Sequence, residues 1–175
     1  MRPPRRLLLL RHGKSDWADG STPDADRPLS PRGRAACGLI AEHLCAERLI
    51  PDLVLCSSAR RTRQTVEHIA GALPPDVPVL AEDRLYLADA ADLLDRLREL
   101  DDGVPTVLLV GHNPGIQALA AGLLPAGERS RIPAFPTAAL AVEDLAVGRW
   151  TELGPSTTRL VSFVTPRSLG ASASH

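Results

Sequence analysis

Two histidines a hundred residues apart share one local design. Leu7-Leu8-Leu9-Leu10 runs into Arg11-His12-Gly13, and Val107-Leu108-Leu109-Val110 runs into Gly111-His112-Asn113-Pro114-Gly115. A third apolar run, Asp52 to Cys56, is followed by Ser57-Ser58-Ala59-Arg60-Arg61. Each run has the length and composition of a buried parallel strand that delivers polar groups at its carboxyl end. Imidazole attacks phosphorus when neutral and donates a hydrogen bond when protonated, and guanidinium is a permanently charged planar fork matched to phosphate oxygens. Two histidines and two arginines at one rim therefore specify a site for a dianionic phosphoryl group. The stretch 111–115 also opens a helix, whose free N–H groups and positive dipole end favour an anion.

The elements that must bring these residues together follow from the hydrophobic pattern. Strand and helix alternate: a strand over 6–10, a helix begun by the Ser30-Pro31 cap and striped by Ala36, Leu39, Ile40 and Leu44 as far as Leu49, a strand over 52–56 and a helix near 59–73. A weaker strand over 77–81 precedes a helix striped by Leu93, Leu94, Leu97 and Leu100. A strand over 105–110 and a helix over 114–124 follow, then strands over 137–145, 149–153 and 160–164. Right-handed β-α-β crossovers make the strands ending at Leu10, Cys56 and Val110 parallel and open them onto one edge, where ligands of open α/β sheets bind. The expected architecture is a three-layer α/β/α domain over residues 1–167 with a mostly parallel central sheet, and residues 168–175 read as a frayed tail.

Composition narrows the partners. At 175 residues the chain suits one domain, and a formal net charge of -1 supplies no overall positive field for nucleic acid or an anionic membrane surface. The four leucines before Arg11 are too few for a signal-peptide core, and no stretch approaches a membrane span. Cys37, Cys45 and Cys56 are odd in number, lack a CxxC spacing and sit in apolar segments where a small thiol packs, which reads as a reducing cytoplasm without a catalytic cysteine. Of the 20 basic residues only Lys14 is lysine, so arginine is the default surface cation and only its position argues for function. Neither HExxH nor a Cys/His cluster accompanies the histidines, so no metal is expected.

At these residues the chain resembles the histidine phosphatase superfamily, the phosphoglycerate mutase-like proteins. The Arg-His-Gly signature stands at Arg11-His12-Gly13, the block Ser-Ser-x-x-x-Arg-Ala-x-Gln-Thr is similar to Ser57 through Thr65 with Thr62 in place of alanine, and the second histidine matches His112. Within the superfamily the chain is similar to small SixA-like phosphohistidine phosphatases in Arg11 through Trp17, Asp26 through Gly33, Pro136 through Leu140 and Thr165-Pro166-Arg167. The resemblance implies a phosphatase without a cofactor, with His12 as nucleophile forming a phosphohistidine. Arg11, Arg61 and His112 would hold the equatorial oxygens, and Gly13, Ser15, Asn113 and Arg27 would bind phosphate or substrate. It implies as partner a phosphorylated protein, such as a histidine-phosphotransfer domain, or a small phosphorylated molecule.

One departure bears on the substrate. The superfamily's mutases and broad phosphatases carry a glutamate general acid in the segment beginning Arg84-Leu85-Tyr86, and here Leu87 stands in that slot. Asp16, Asp26, Asp83 and Asp89 are the candidate substitutes, although residues of this kind usually serve as solvated loop residues or helix caps. Trp17, over the expected pocket, is read either as a cover for substrate or as packing. Alternatives on the same scaffold are a small-molecule or nucleotide phosphatase and a non-catalytic phospholigand-binding module.

Overall fold

The computed structural model describes residues 2–17 and 20–172, and side chains as far as residue 170. Six strands form one sheet in the order β3-β2-β4-β1-β5-β6. They are β1 (Arg6–Arg11), β2 (Leu53–Ser57), β3 (Val79–Glu82), β4 (Thr106–Gly111), β5 (Leu140–Leu145) and β6 (Thr158–Val164). The first four are mutually parallel, whereas β5 pairs antiparallel with β1 and β6 antiparallel with β5. The helices are α1 (Pro31–Ala46), α2 (Arg60–Ile69), α3 (Ala90–Arg98), α4 (Gly115–Leu123) and α5 (Pro166–Ser172). This is the three-layer, mostly parallel sheet that the sequence pattern predicts. No described helix is long and apolar enough to cross a membrane.

The all-apolar central strands exist because both faces of the sheet are covered. Leu8 and Leu10 point into one core with Val54, Cys56, Leu108 and Val110, closed by Ile40 and Leu44 of α1 and Val66 and Ile69 of α2. Leu7 and Leu9 point into the other with Leu53, Leu55, Val107 and Leu109, closed by Leu93 and Leu97 of α3 and Ile116 and Leu119 of α4. The alternation is the two-residue period of a strand read on both faces. Each fully buried leucine contributes roughly 1.5–3 kcal/mol, so the strand ends that carry the polar groups are rigid supports.

Several boundaries and one element differ from the sequence reading. Residues 149–153 are not a strand. Trp150–Glu152 is a 3-10 turn in which the fully buried Trp150 donates its indole N–H to the Val104 carbonyl at 2.9 Å and its backbone N–H to Asp102 at 3.1 Å. The apolar signal there is one anchoring plug, and Trp150 needs a hydrogen-bond partner that a sheet edge would not supply. The frayed tail fails for its first part, because Pro166–Ser172 is a helix packed through Leu169 against the α1 core, with the Thr165 and Ser168 side chains bonding each other's backbone N–H groups. Residues 173–175 lie outside the described residues. Cys45 is exposed, whereas Cys37 and Cys56 are buried.

A buried acid stands at the far end of the sheet. Glu143 of β5 is fully buried, accepts a 2.6 Å hydrogen bond from Thr158 Oγ1, and has no partner for Oε1 among the described residues. Burial pushes its carboxyl up to about 8, against the opposing Thr158 hydrogen bond. The folded chain therefore keeps a proton that the unfolded chain releases above about pH 4.5, so the contribution of this group to stability is full below that pH and is lost progressively as pH rises towards about 8. Glu143→Gln, which keeps the acceptor for Thr158, should raise Tm at pH 8 by several degrees and leave it nearly unchanged at pH 4.5, as thermal unfolding followed across pH will measure.

Candidate active site

Register explains why two residues a hundred positions apart meet. Arg11 of β1 pairs with Gly111 of β4, so His12 and His112 are the next residues of adjacent parallel strands. The His12 backbone N–H donates to the Gly111 carbonyl at 3.1 Å, and the two rings lie 5.2 Å apart. On the other flank of β4, Cys56 pairs with Val110, which brings Ser57 level with Gly111 and its hydroxyl within reach of His112. The fourth wall is the turn before β5. Ala138, at φ 59°, turns its N–H onto the Arg11 and His12 carbonyls at 3.1 and 3.0 Å.

His12 is buried, and its Nδ1 lies 2.6 Å from the Gly13 carbonyl. A carbonyl only accepts, so Nδ1 carries the proton and Nε2 keeps its lone pair. Burial, with the positive charges of Arg61, Arg11 and Arg27, lowers the His12 pKa to about 4, against the raising effect of the Gly13 carbonyl. The imidazole is neutral and nucleophilic across the neutral range.

His112 is held from both sides. Arg61 Nη2 lies 3.3 Å from Nδ1, and the Ser57 hydroxyl lies 2.7 Å from Nε2. Guanidinium only donates, so Nδ1 accepts and Nε2–H donates to Ser57. Burial is the chief cause that lowers its pKa to about 3, followed by His12 and Arg61. An incoming dianion offsets those positive charges and favours a proton on Nδ1, which would convert His112 from acceptor to donor.

Arg60 and Arg61 separate cleanly. Arg60 is exposed, whereas Arg61 is 3% exposed and lines the pocket. One step along a helix rotates the side chain by about 100°, so adjacent arginines cannot face one anion. The start of α2 is locked by Thr62, whose hydroxyl donates to the Ser57 and Ala59 carbonyls, and by Thr65, which donates to the Arg61 carbonyl and accepts from the Gly13 N–H. Arg11 donates through Nη1 to the Phe135 carbonyl at 2.9 Å. The Nε atoms of both Arg11 and Arg61 are buried without a partner among the described residues.

The remaining predicted site residues divide. Ser15, Arg27 and Asn113 line the pocket, and Gly13 does not. Gly13 spends its N–H on Thr65 and its carbonyl on His12, and a Cβ there would lie 3.0 Å from Cys37 Sγ and the Gly33 carbonyl, so it positions the nucleophile. Arg27 is buried on Ser15 Oγ at 2.8 Å and the Asp24 carboxylate at 3.0 Å, with Trp17 stacked on its guanidinium at 3.4 Å. Asn113 donates to the Phe135 carbonyl at 3.0 Å, and its Oδ1 is buried without a partner among the described residues. Among the described residues no group of three or more His, Cys, Asp or Glu side chains is arranged to hold a metal ion.

Two residues at the site carry no motif in the sequence. Asp24, on a 3-10 turn over Asp24–Asp26, accepts from Arg61 at 3.1 Å, from Arg27 and from the Tyr86 hydroxyl, and the edge of Tyr86 meets the His112 ring at 5.5 Å. Among the described residues Asp24 is the carboxylate that lines the pocket, whereas Asp16, Asp26, Asp83 and Asp89 do not line it, and Asp89 caps α3. The Tyr86 hydrogen bond, then Arg61 and Arg27, hold the Asp24 pKa down to about 2. It is a counterion at neutral pH and has no proton to give a leaving group. Leu87 stands exposed at the pocket mouth with φ 51°, in backbone space that a branched side chain rarely occupies.

Comparison with known proteins matches this geometry to a family. The sequence profile of the histidine phosphatase superfamily (branch 1) matches residues 7–93. An uncharacterized protein of Mycobacterium tuberculosis is 39% identical over 164 residues, covering 90% of this chain and 100% of its own length. The phosphohistidine phosphatase SixA of Escherichia coli K12 is 32% identical over 139 residues, covering 78% of this chain and 83% of its own. A crystal structure from Agrobacterium tumefaciens that bears the SixA name superposes with a TM-score of 0.81 at 33% identity, over 93% of this chain and 99% of that one. With a histidine pair and two arginines on the carboxyl edge of a six-stranded sheet, the chain belongs to the histidine phosphatase superfamily as a SixA-like phosphatase.

Proposed function

We propose that this protein is a metal-independent phosphohistidine phosphatase that works through a phosphohistidine on His12. The observation that carries the reading is the neutral His12, its Nδ1 proton on the Gly13 carbonyl and its Nε2 lone pair left over in a pocket that Arg11, Arg61 and His112 also line. A phosphoryl dianion bound by those guanidinium groups would present its phosphorus to Nε2. In the first step the Nε2–P bond forms as the P–N bond of the substrate breaks. The departing imidazole, already protonated on its distal nitrogen, leaves neutral. Arg11, Arg61 and His112 balance the charge on the equatorial oxygens throughout. Water then adds to phosphorus, the His12–P bond breaks, and dihydrogen phosphate leaves a neutral His12 whose Nδ1 proton never left the Gly13 carbonyl.

The pocket chemistry favours this substrate class over alkyl esters. A leaving alkoxide needs a proton in the transition state, and the pocket offers Leu87 where an acid would stand and an ionised Asp24. The expected result is that kcat/KM falls by orders of magnitude as leaving-group pKa rises across aryl phosphates, and that a phosphohistidine protein outperforms sugar phosphates. Steady-state kinetics on that panel test it. A flat dependence overturns the acid-free mechanism, and efficient sugar-phosphate turnover moves the substrate to a small molecule. The non-catalytic alternative, which Leu87 favours, predicts no phosphate release from any member of the panel.

A further inference from the structure

The pocket carries more positive charge than one phosphoryl group can use. Among the described residues, six cationic side chains line it against one carboxylate, Asp24, a formal excess of five in a chain whose net charge is -1. Arg11 and Arg61 converge on the nucleophile, and Arg27 is committed to Asp24 and Ser15. The other three, Lys14, Arg32 and Arg167, are exposed, and among the described residues their side chains have no ion-pair or hydrogen-bond partner. Away from the site Arg6, Arg84 and Arg96 are tied to Asp144, Glu99 and Glu82, whereas Arg48, Arg60 and Arg63 are exposed without a side-chain ion-pair or hydrogen-bond partner among the described residues, so it is their place on the pocket wall that marks Lys14, Arg32 and Arg167.

The fold holds these three on one side of the mouth. The Lys14 carbonyl accepts from the Ser30 N–H at 2.8 Å and the Ser30 hydroxyl at 3.1 Å. A Cβ at Gly33 would lie 2.1 Å from that carbonyl, so glycine is what allows the Lys14 backbone to rest on the first turn of α1, which carries Arg32. Arg167 is in the first turn of α5, which packs on α1. Three segments locked together thus present three unpartnered cations beside the phosphoryl site. Trp17, 73% exposed, and Leu87, 55% exposed, also stand at the mouth. Two large apolar side chains beside the cations give the rim more area than a small metabolite would cover, which suits a protein surface.

We infer that Lys14, Arg32 and Arg167 form a second anion subsite, which binds carboxylate side chains flanking the phosphohistidine of a protein substrate. The inference rests on the phosphohistidine reading above for the identity of that substrate. Mixed exposed ion pairs are individually weak, so the subsite acts through their sum and is strongest at low salt.

The test compares two phosphohistidine peptides that differ only in having glutamates or glutamines around the histidine. At low ionic strength the protein should prefer the glutamate peptide by about tenfold in kcat/KM, with the preference shrinking as salt rises. In the triple variant Lys14→Ala/Arg32→Ala/Arg167→Ala the ratio should collapse to within about twofold of unity. Equal rates on both peptides in the wild-type protein, or a preference that survives the triple substitution, overturn the subsite. A parallel arm measures inhibition of p-nitrophenyl phosphate hydrolysis by an unphosphorylated glutamate-rich peptide, its glutamine counterpart and fructose 1,6-bisphosphate. The glutamate peptide should inhibit the wild-type protein at least about fivefold more strongly than the triple variant. If only the bisphosphate shows that difference, the cations serve the second phosphate of a small molecule and the acidic-protein assignment falls. If neither phosphohistidine peptide is hydrolysed, the phosphohistidine reading fails and the competition arm still decides the subsite.

Discussion

His12→Ala is expected to reduce phosphate release by about 10⁴-fold or more and to abolish covalent labelling, because the substitution removes the one imidazole, among the described residues, that is neutral with a free lone pair at the mouth of the two strands. Denaturing quench with a ³²P-labelled substrate should trap a phosphoenzyme on the wild-type protein that survives base and is lost in acid, as a phosphoramidate must. The variant should show none. Its deletion leaves a hole lined by Arg61, His112 and the Gly13 carbonyl, so added imidazole should restore part of the turnover without restoring the label. Rescue separates a missing nucleophile from a misfolded site. The acid limb of wild-type kcat/KM, corrected for the substrate's own ionisation, should fall at about pH 4, where burial and the arginines place the His12 proton, and not near the ordinary 6.5. A base-stable phosphoenzyme on the His12→Ala protein would reassign the nucleophile.

The contrast with His112 follows from hydrogen bonds. Both nitrogens of His112 are engaged, by Arg61 and by Ser57, whereas His12 has one engaged and one free. One ring is therefore built to attack and the other to hold. Their environments nonetheless look alike to any sequence pattern, since each is a strand-end histidine beside a glycine.

What could be read from the chain and what could not divides along contact distance. The strands ending at Arg11, Ser57 and Gly111 were legible because burial on both faces forces an unbroken apolar run, and their adjacency followed from crossover handedness. Ser30 as the α1 cap was legible because its bond to the Gly33 N–H, at 3.0 Å, is local. Asp24 was not, since its partners Arg61 and Tyr86 lie 37 and 62 residues away and nothing in a Pro- and Asp-rich loop singles it out from Asp16 or Asp26. Trp150 misled because one buried aromatic raises the apolar signal of a strand that its surroundings do not pair. The 168–172 segment misled for the opposite reason. It is small and polar, and its helix depends on Leu169 finding the α1 core.

Arg61→Ala should cost kcat/KM about 10³-fold, while Arg60→Ala should cost no more than a few-fold. The asymmetry follows from where the two adjacent side chains go. Arg60 is exposed at the start of α2, and Arg61 turns inward to meet the Asp24 carbonyl at 2.7 Å, the Asp24 carboxylate and His112. Removing it deletes the charge facing the phosphoryl oxygens, takes the donor from His112 Nδ1 and leaves Asp24 with Arg27 and Tyr86 alone, so the loss should exceed that of one hydrogen bond. Arg61→Lys tests how much is charge and how much is the planar fork. An ammonium cannot serve Asp24, His112 and a phosphate oxygen at once, and recovery of no more than about tenfold over alanine is expected. The loss in Arg61→Ala should be carried mainly by kcat, because the guanidinium balances charge that grows in the transition state, with a smaller rise in KM from lost ground-state binding. Kinetics of the four proteins on one aryl phosphate decide the matter. Equal losses at positions 60 and 61, or a larger loss at Arg60, would mean that the inward-facing arginine of the folded state is not the one that holds the phosphoryl group during transfer.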